Sequence, residues 1–145
     1  MIGEIYSQQI LDAAGAIPPA RRLDRPDATA KKVSRVCGSE VTVDLKMKGG
    51  KVADFGIEAR ACALGQAASS IVARNIVGAS AEELYDLRDQ MRAMLRESGP
   101  APKGARWKEL AVLGPVRDYP QRHASTLLVF EAVAACLDDI RAQPI

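Results

Sequence analysis

The middle of the chain alternates between apolar and polar side chains, which is typical of β-strands with one buried face. The apolar positions of the first such stretch are Val41, Val43, Leu45 and Met47. Gly49 and Gly50 then predict a tight hairpin, and residues 51–59 return as the partner strand. Residues 28–36 supply a third strand through a turn at positions 37 and 38. The pattern therefore predicts a three-stranded antiparallel meander.

Most of the remaining chain has apolar residues three and four positions apart, which is the spacing of an amphipathic helix. A capping-box pattern from Ser80 to Glu83 marks the start of one helix. Helices are expected at about 3–14, from Cys62 to about 77, from Ser80 to a loop at 98–105, and at about 121–141. A connector rich in Pro and Arg at 16–27 and a short helical or irregular stretch at 107–113 complete the pattern.

The strands precede most of the helices, which is the order of an α+β domain with its helices packed on one face of an antiparallel sheet. A chain of 145 residues fits one domain, spanning 1–145. In this arrangement Cys37 falls at a turn between strands and Cys62 at the junction of a strand and a helix. His123 falls near the start of the last helix, so we expect these three side chains to meet at one end of the sheet.

The overall charge of the chain does not point to a strongly charged partner. Lys and Arg number 20 against 18 Asp and Glu, so the net charge of +2 gives no argument for binding nucleic acid or a membrane surface. Basic residues clustered between 21 and 35 are expected to form a solvated face, with a docking patch for an acidic partner protein as the alternative. No apolar run approaches the roughly 20 residues that cross a bilayer, and the first residues do not resemble a signal peptide. We therefore expect a cytoplasmic protein.

The cysteines are the candidate chemical groups. Three cysteines at wide spacing do not indicate a disulfide framework, so metal binding or thiol chemistry is the alternative to simple packing. Cys62 is expected at a helix N-terminus, where unpaired N–H groups favour a thiolate. Two thiolates and the imidazole of His123 would be good ligands for zinc or ferrous iron and would leave one coordination position open. Burial as a small apolar residue is the alternative for Cys62, and capping of backbone groups is the alternative for His123.

Three segments, in this order along the chain, resemble the U-type iron–sulfur cluster scaffold family, which includes IscU, SufU and the N-terminal domain of NifU. They are Cys-Gly-Ser at 37–39, Ala-Cys-Ala-Leu-Gly-Gln-Ala-Ala-Ser-Ser at 61–70, and Arg-His-Ala-Ser at 122–125. The resemblance covers most of the chain. The region from 107 to 122, with Leu-Gly-Pro-Val-Arg and Tyr-Pro, is most similar to the SufU branch.

The resemblance implies a three-stranded sheet with helices on one side and a metal site at one exposed end. Cys37 matches the first cysteine of the family and Cys62 the second, and His123 matches the histidine beside the third cysteine in the IscU branch.

The chain departs from the family pattern at two positions. Ala124 stands where the third cysteine is expected, and Ser39 replaces an aspartate, with Glu40 next to it as a candidate fourth ligand. Cys136 does not replace the missing thiol, because it lies roughly 18 Å along the last helix from Ala124 at about 1.5 Å per residue. Its apolar neighbours indicate a core position.

The resemblance implies an iron–sulfur assembly scaffold or carrier, and not an enzyme. Cys37, Cys62 and His123, with Glu40 as a hard fourth ligand, would hold iron, a [2Fe–2S] cluster or zinc. The implied partners are a cysteine desulfurase and iron–sulfur acceptor proteins. Two cysteines and one histidine fall short of the four ligands of a [2Fe–2S] centre, so a homo-oligomer that shares a cluster stays open. The alternative is a diverged relative that accepts sulfur as a persulfide, binds the desulfurase, or holds zinc without cluster chemistry.

Overall fold

The central element of the fold is strand β2, Glu40–Lys48, in a computed structural model that describes residues 6–143. Strands β1, Ala28–Val33, and β3, Lys51–Arg60, pair with β2 on either side, and both pairings are antiparallel. Gly49 and Gly50 form the turn of the β2–β3 hairpin. The predicted antiparallel meander is therefore confirmed, with a β1 that ends three residues earlier than expected.

The helices follow the predicted order. Within residues 6–143 they are α1, Gln8–Gly15; α2, Ala63–Asn75; α3, Ala81–Arg96; α4, His123–Ala142; and two 3₁₀ segments, Lys108–Asp118 and Pro120–Arg122. The first helix was expected to begin near residue 3, and positions 1–5 lie outside the described residues. The stretch expected to end at 113 continues as a 3₁₀ segment that contains Pro115, which has no N–H for a regular α-helical hydrogen bond. No helix among residues 6–143 is long and apolar enough to span a membrane.

The hydrophobic core lies between the sheet and its helices. Helix α4 packs on β1 and β2, α2 packs on β3, and the other two helices pack on α2 and α4. Val41, Val43 and Leu45 are each almost fully buried, as their alternation predicts. Cys136 is fully buried in α4, where its thiol donates a 3.5 Å hydrogen bond to the carbonyl oxygen of Val43, and burial raises its pKa to about 12. The α+β class and the core position of Cys136 are confirmed.

The connector before β1 crosses the outer face of the sheet. The N–H of Arg21 bonds to the carbonyl oxygen of Ile57 at 3.1 Å, and the fully buried carboxylate of Asp44 accepts two bonds from the Arg22 guanidinium at 2.6 and 3.0 Å. The Leu23 N–H and the hydroxyl of Thr29 bind the same carboxylate at 2.9 and 2.5 Å. Burial alone would raise the pKa of Asp44, but these donors outweigh it and hold the pKa below its ordinary value.

The start of α3 is tied to the long loop that follows the helix. The Ser80 hydroxyl accepts a 3.1 Å hydrogen bond from the N–H of Glu83, as the capping-box pattern predicts. The Glu83 carboxylate does not complete the box. It accepts a 2.7 Å bond from the Trp107 indole and pairs with Arg106 at 3.0 Å, so it anchors the loop before the 3₁₀ segment.

Candidate functional site

Strand register brings the two candidate cysteines to the same end of the sheet. Glu40, the first residue of β2, pairs with Val33 at the end of β1 and with Arg60 at the end of β3. The turn that carries Cys37 joins β1 to β2, and Cys62 follows the last residue of β3 by two positions. Both cysteines therefore lie at the end of the sheet opposite the β2–β3 hairpin.

The Cys37 turn is closed by two backbone hydrogen bonds. The Ser34 N–H bonds to the carbonyl oxygen of Ser39 at 2.8 Å, and the Gly38 N–H bonds to the carbonyl oxygen of Ser34 at 2.9 Å. Gly38 has a φ of +73°, a left-handed conformation that glycine adopts without the steric cost of a side chain. The turn leaves the Cys37 side chain exposed, while Ser34 and Ser39 point inward and are buried.

Cys62 occupies the N-cap position of α2 and is partly exposed. Its side chain makes no capping bond to the helix, so the thiol is free to face the start of α4. A Cβ on Gly65 would lie 3.2 Å from the carbonyl oxygen of Ser125 and 2.8 Å from the side chain of Ala61. The absence of a side chain at Gly65 therefore allows the first turns of α2 and α4 to approach each other.

Ser125, in the first turn of α4, accepts a hydrogen bond from a thiol. Its hydroxyl oxygen is 3.7 Å from the sulfur of Cys62, which donates to it, and the same hydroxyl makes a small contribution to lowering the pKa of Cys37. Cys37 has further hydroxyl neighbours in Ser39, whose Oγ lies 3.0 Å from its sulfur, and Ser34, whose Oγ lies 3.7 Å away. Two thiols and three serine hydroxyls thus form one cluster.

The hydroxyl groups change the acidity of the Cys37 thiol. Burial of part of the side chain acts to raise its pKa, but hydrogen bonds from the side chain and backbone of Ser39 outweigh that effect, with smaller contributions from Ser34 and Ser125. The net result is a pKa lowered to about 7. The pKa of Cys37 is lowered because the hydroxyls of Ser34 and Ser39 lie close to its sulfur, an effect that sequence analysis did not predict.

His123 lies at the first position of α4 and is buried, with only 8% of its surface exposed. Its Nε2 atom is 3.1 Å from the carbonyl oxygens of both Val116 and Arg117. Since a carbonyl oxygen can only accept, Nε2 carries the proton and ties the 3₁₀ segment to α4. A metal would have to bind the other ring nitrogen, Nδ1.

The four predicted ligands do not form a ready metal site. The carboxylate of Glu40 pairs with Lys31 at 3.4 Å, at the end of the sheet that carries the cysteines. In the part of the chain that the structure describes, no group of three or more His, Cys, Asp or Glu side chains is arranged to hold a metal ion. Cys37 and Cys62 lie at the same end of the sheet, whereas His123 and Glu40 have other partners.

Two residues at the start of α4 border this end of the sheet. Ala124, which stands where the family has its third cysteine, lines a surface hollow with Lys32, Arg96 and Leu127. Ser125, a residue that sequence analysis did not select, has its hydroxyl oxygen 3.7 Å from the sulfur of Cys62.

A three-stranded antiparallel sheet with helices on one face and a pair of thiols at one end is the architecture of the iron–sulfur cluster assembly scaffolds. Residues 5–125 match the NifU-like N-terminal domain family. The chain belongs to this family, as the sequence resemblance predicted.

Similar proteins extend over nearly the whole chain. It is 27% identical over 136 residues to the iron–sulfur cluster assembly scaffold protein IscU of Thermotoga maritima, with 94% of both chains covered. The crystal structure of a nitrogen-fixing NifU-like protein (N-terminal) from Brucella abortus is 52% identical, with a TM-score of 0.95 and 99% of both chains covered. A putative scaffold protein for the SUF system from Fervidobacterium islandicum is 21% identical, with a TM-score of 0.83 and 93% and 98% of the two chains covered, and supports the fold alone.

Proposed function

We propose that this chain is an iron–sulfur assembly scaffold or carrier that receives iron or a [2Fe–2S] cluster at Cys37 and Cys62. The observation that carries the proposal is the placement of these two thiols at the same end of a scaffold-family fold. Cysteine sulfur is the usual protein ligand of such clusters and also suits zinc. Because one thiol is exposed and the other partly exposed, cargo can enter and leave without unfolding of the core.

The number of ligands favours a cluster shared between two chains. A [2Fe–2S] centre takes four protein ligands, and Cys37 with Cys62 supplies two per chain. His123 and Glu40 stay predicted additional ligands. Each would first have to change its state, His123 by offering Nδ1 to the metal and Glu40 by leaving Lys31.

The role is to hold and transfer cargo, not to catalyse a reaction. The partners are a cysteine desulfurase as the source of sulfur and apoproteins as acceptors of the cluster, in the cytoplasm. The same surface must then admit each partner in turn, which agrees with the exposure of Cys37 at the end of the sheet.

The test is anaerobic reconstitution with ferrous iron, cysteine and a cysteine desulfurase, followed by absorption spectra, metal analysis and size-exclusion chromatography. We expect visible absorption of a [2Fe–2S] centre, with about one cluster per dimer, and its loss in Cys37→Ser and Cys62→Ser. Cys136→Ser is the matched control, because Cys136 lies in the core away from the site. The variants His123→Asn and Glu40→Gln test whether these two residues are additional ligands of the cluster. Colourless protein with no bound iron would refute the proposal.

A second candidate function is supported by the acidity and exposure of Cys37. In this function the chain accepts sulfur. The Cys37 thiolate attacks the outer sulfur of a desulfurase persulfide, the sulfur–sulfur bond of the donor breaks, and the donor cysteine leaves as a thiolate, so that Cys37 becomes the persulfide. Incubation with desulfurase and cysteine, without iron, would add one sulfur atom to the Cys37 peptide in mass spectra. A modified Cys37 in colourless protein would favour this candidate over the scaffold.

A further inference from the structure

The last two residues of β1 reverse the polarity that their positions in the sheet predict. Lys32 pairs with Val41, which is buried under the helices, and directly paired residues of neighbouring strands face the same side of a sheet. A lysine therefore stands on the helix-covered face, while Val33, the next residue, is 51% exposed. Val36 is 73% exposed. Single exposed apolar side chains are common on protein surfaces, but here two lie within four positions of the exposed Cys37.

A surface hollow of about 260 Å³ opens where this end of β1 meets α3 and α4. Its apolar lining consists of Val33, Ala124, Leu127 and Leu128, and its charged lining of Lys32, Arg92, Arg96 and Glu131. The hollow borders the end of the sheet that carries the thiols, because Val33 pairs with Glu40 at that end. A molecule bound in the hollow would therefore lie at the same end of the sheet as Cys37.

The hollow has an excess of positive charge. The guanidinium of Arg92 is paired with the carboxylate of Glu131 at 2.6 Å, so these two charges offset each other. Lys32 and Arg96 are both exposed, and neither forms a salt bridge within residues 6–143. Two unpaired cations beside an apolar lining are complementary to an apolar side chain that is flanked by carboxylates.

We propose that this hollow is a docking surface for an acidic segment of a partner protein. The segment places an apolar side chain against the apolar lining and its carboxylates against Lys32 and Arg96. The inference goes beyond the proposed function, because the binding needs neither a metal nor a thiol. Its location agrees with that function, since a partner held here has access to the exposed Cys37.

The basic hollow on the outer face of the sheet is less suited to such a segment. Two of its four cations, Arg21 and Arg22, are already paired with carboxylates. Leu23 is the single apolar residue among those that line it. This second hollow offers charge without an apolar surface for an anchoring side chain.

The experiment is a titration of the isotope-labelled, reduced apoprotein with synthetic peptides, followed by NMR chemical shifts. The probe peptide carries one leucine flanked by glutamates. Serine replaces the leucine in one comparison peptide, and lysines replace the glutamates in another. Titration to about 5 mM covers a dissociation constant of about 1 mM. We expect the probe peptide alone to shift the signals of the residues that line the hollow, and added salt to weaken its binding.

Two variants of the hollow have matched controls at the hairpin end of the sheet. Lys32→Glu should weaken binding by up to about tenfold, because an exposed ion pair contributes up to about fivefold and the reversed charge adds repulsion. Val33→Ser should weaken it by about fivefold through the lost apolar contact. Lys48→Glu and Val77→Ser make the same changes at exposed positions and should keep wild-type binding. Circular dichroism should show all four variants folded.

The results that would overturn the inference are distinct. Equal binding of the leucine and serine peptides would mean attraction by charge alone. Shifts centred on the outer-face hollow around Arg21, or no shifts at the highest peptide concentration, would remove the proposed surface. Equal losses in Lys32→Glu and Lys48→Glu would assign the effect to net charge. None of these results bears on metal binding by Cys37 and Cys62, which reconstitution tests separately.

Discussion

The acidity of Cys37 leads to a quantitative prediction for its reactivity. With a pKa of about 7, half of the thiol is ionised at pH 7, whereas a thiol at the ordinary value of 9.0 is ionised to about one part in a hundred. The thiolate is thus about fifty times more abundant. Its intrinsic nucleophilicity falls by roughly six- to tenfold over the same change, so the net gain in alkylation rate at pH 7 is about five- to eightfold.

The perturbation is Ser39→Ala, which removes the nearest hydroxyl from the Cys37 sulfur. Removal of a bond that stabilises the thiolate raises the pKa, so the midpoint of the rate against pH should move up from about 7 towards the ordinary thiol value. It should stop short of that value, because the backbone bond from position 39 and the hydroxyls of Ser34 and Ser125 remain. The sign is fixed by the lowered pKa: the thiolate is present above pH 7 and is lost as the pH falls through that value.

The assay is iodoacetamide alkylation of reduced apoprotein between pH 5 and 10, read by mass spectrometry of tryptic peptides. Cleavage after Arg and Lys places Cys37 in peptide 36–46, Cys62 in 61–74 and Cys136 in 123–141, so each thiol is followed without mutating the others. The buried Cys136 serves as an internal standard for a thiol that does not react in the folded protein. Ser69→Ala is the control variant, because the buried hydroxyl of Ser69 has no hydrogen-bond partner and so makes no hydrogen bond to Cys37.

A wild-type midpoint near the ordinary thiol value would refute the assignment of the serine cluster as a stabiliser of the thiolate. An unchanged midpoint in Ser39→Ala would show that the side chain of Ser39 does not contribute, whatever the wild-type value.

Three further predictions concern the stability of the fold, measured by urea unfolding. Gly56→Ala should lose about 1–3 kcal/mol, because the new Cβ would lie 2.7 Å from the backbone oxygen of Arg21 and push the connector off the sheet; wild-type stability would mean that the connector moves freely. Ser80→Ala should lose about 1 kcal/mol through the missing cap to the Glu83 N–H, and a loss below about 0.3 kcal/mol would contradict a role for the cap. Asp44→Asn should flatten the fall in stability at acid pH, because the lowered pKa of Asp44 contributes stability that is present above its unfolded value of 3.8 and is lost as the pH falls through the folded one; an unchanged acid limb would refute this.

The sheet and most helices could be predicted because their signals are local. The alternation from Val41 to Met47 reflects one face buried under helices, and the Gly49 and Gly50 pair sits where the chain reverses. Burial on the polar face of the sheet was harder to predict. Asp44 alternates as a solvent-facing residue but is fully buried, because Arg22 and its neighbours, more than twenty positions earlier, cover it.

The position of the site could be predicted, because it depends on the register of the sheet. The side chains around the thiols could not, because they depend on the residue at which α4 begins. Register alone brings Cys37 and Cys62 to one end. Which residues of α4 lie near them depends on where α4 begins, and that start is held by the His123 bonds to the carbonyl oxygens of the 3₁₀ segment Lys108–Asp118. No periodic pattern in the sequence marks such a boundary, so the contact between Ser125 and Cys62 could not be predicted.

The hairpin at the far end of the sheet offers an attachment point that is independent of the chemistry. β2 has nine residues, so its two ends are separated by roughly 30 Å at about 3.4 Å per residue. Gly49 and Gly50 are exposed, and a Cβ at either would meet nothing within 4 Å. A short peptide tag or surface anchor inserted between them would hold the domain by one end and leave the thiols facing the solution, oriented the same way in every immobilised molecule.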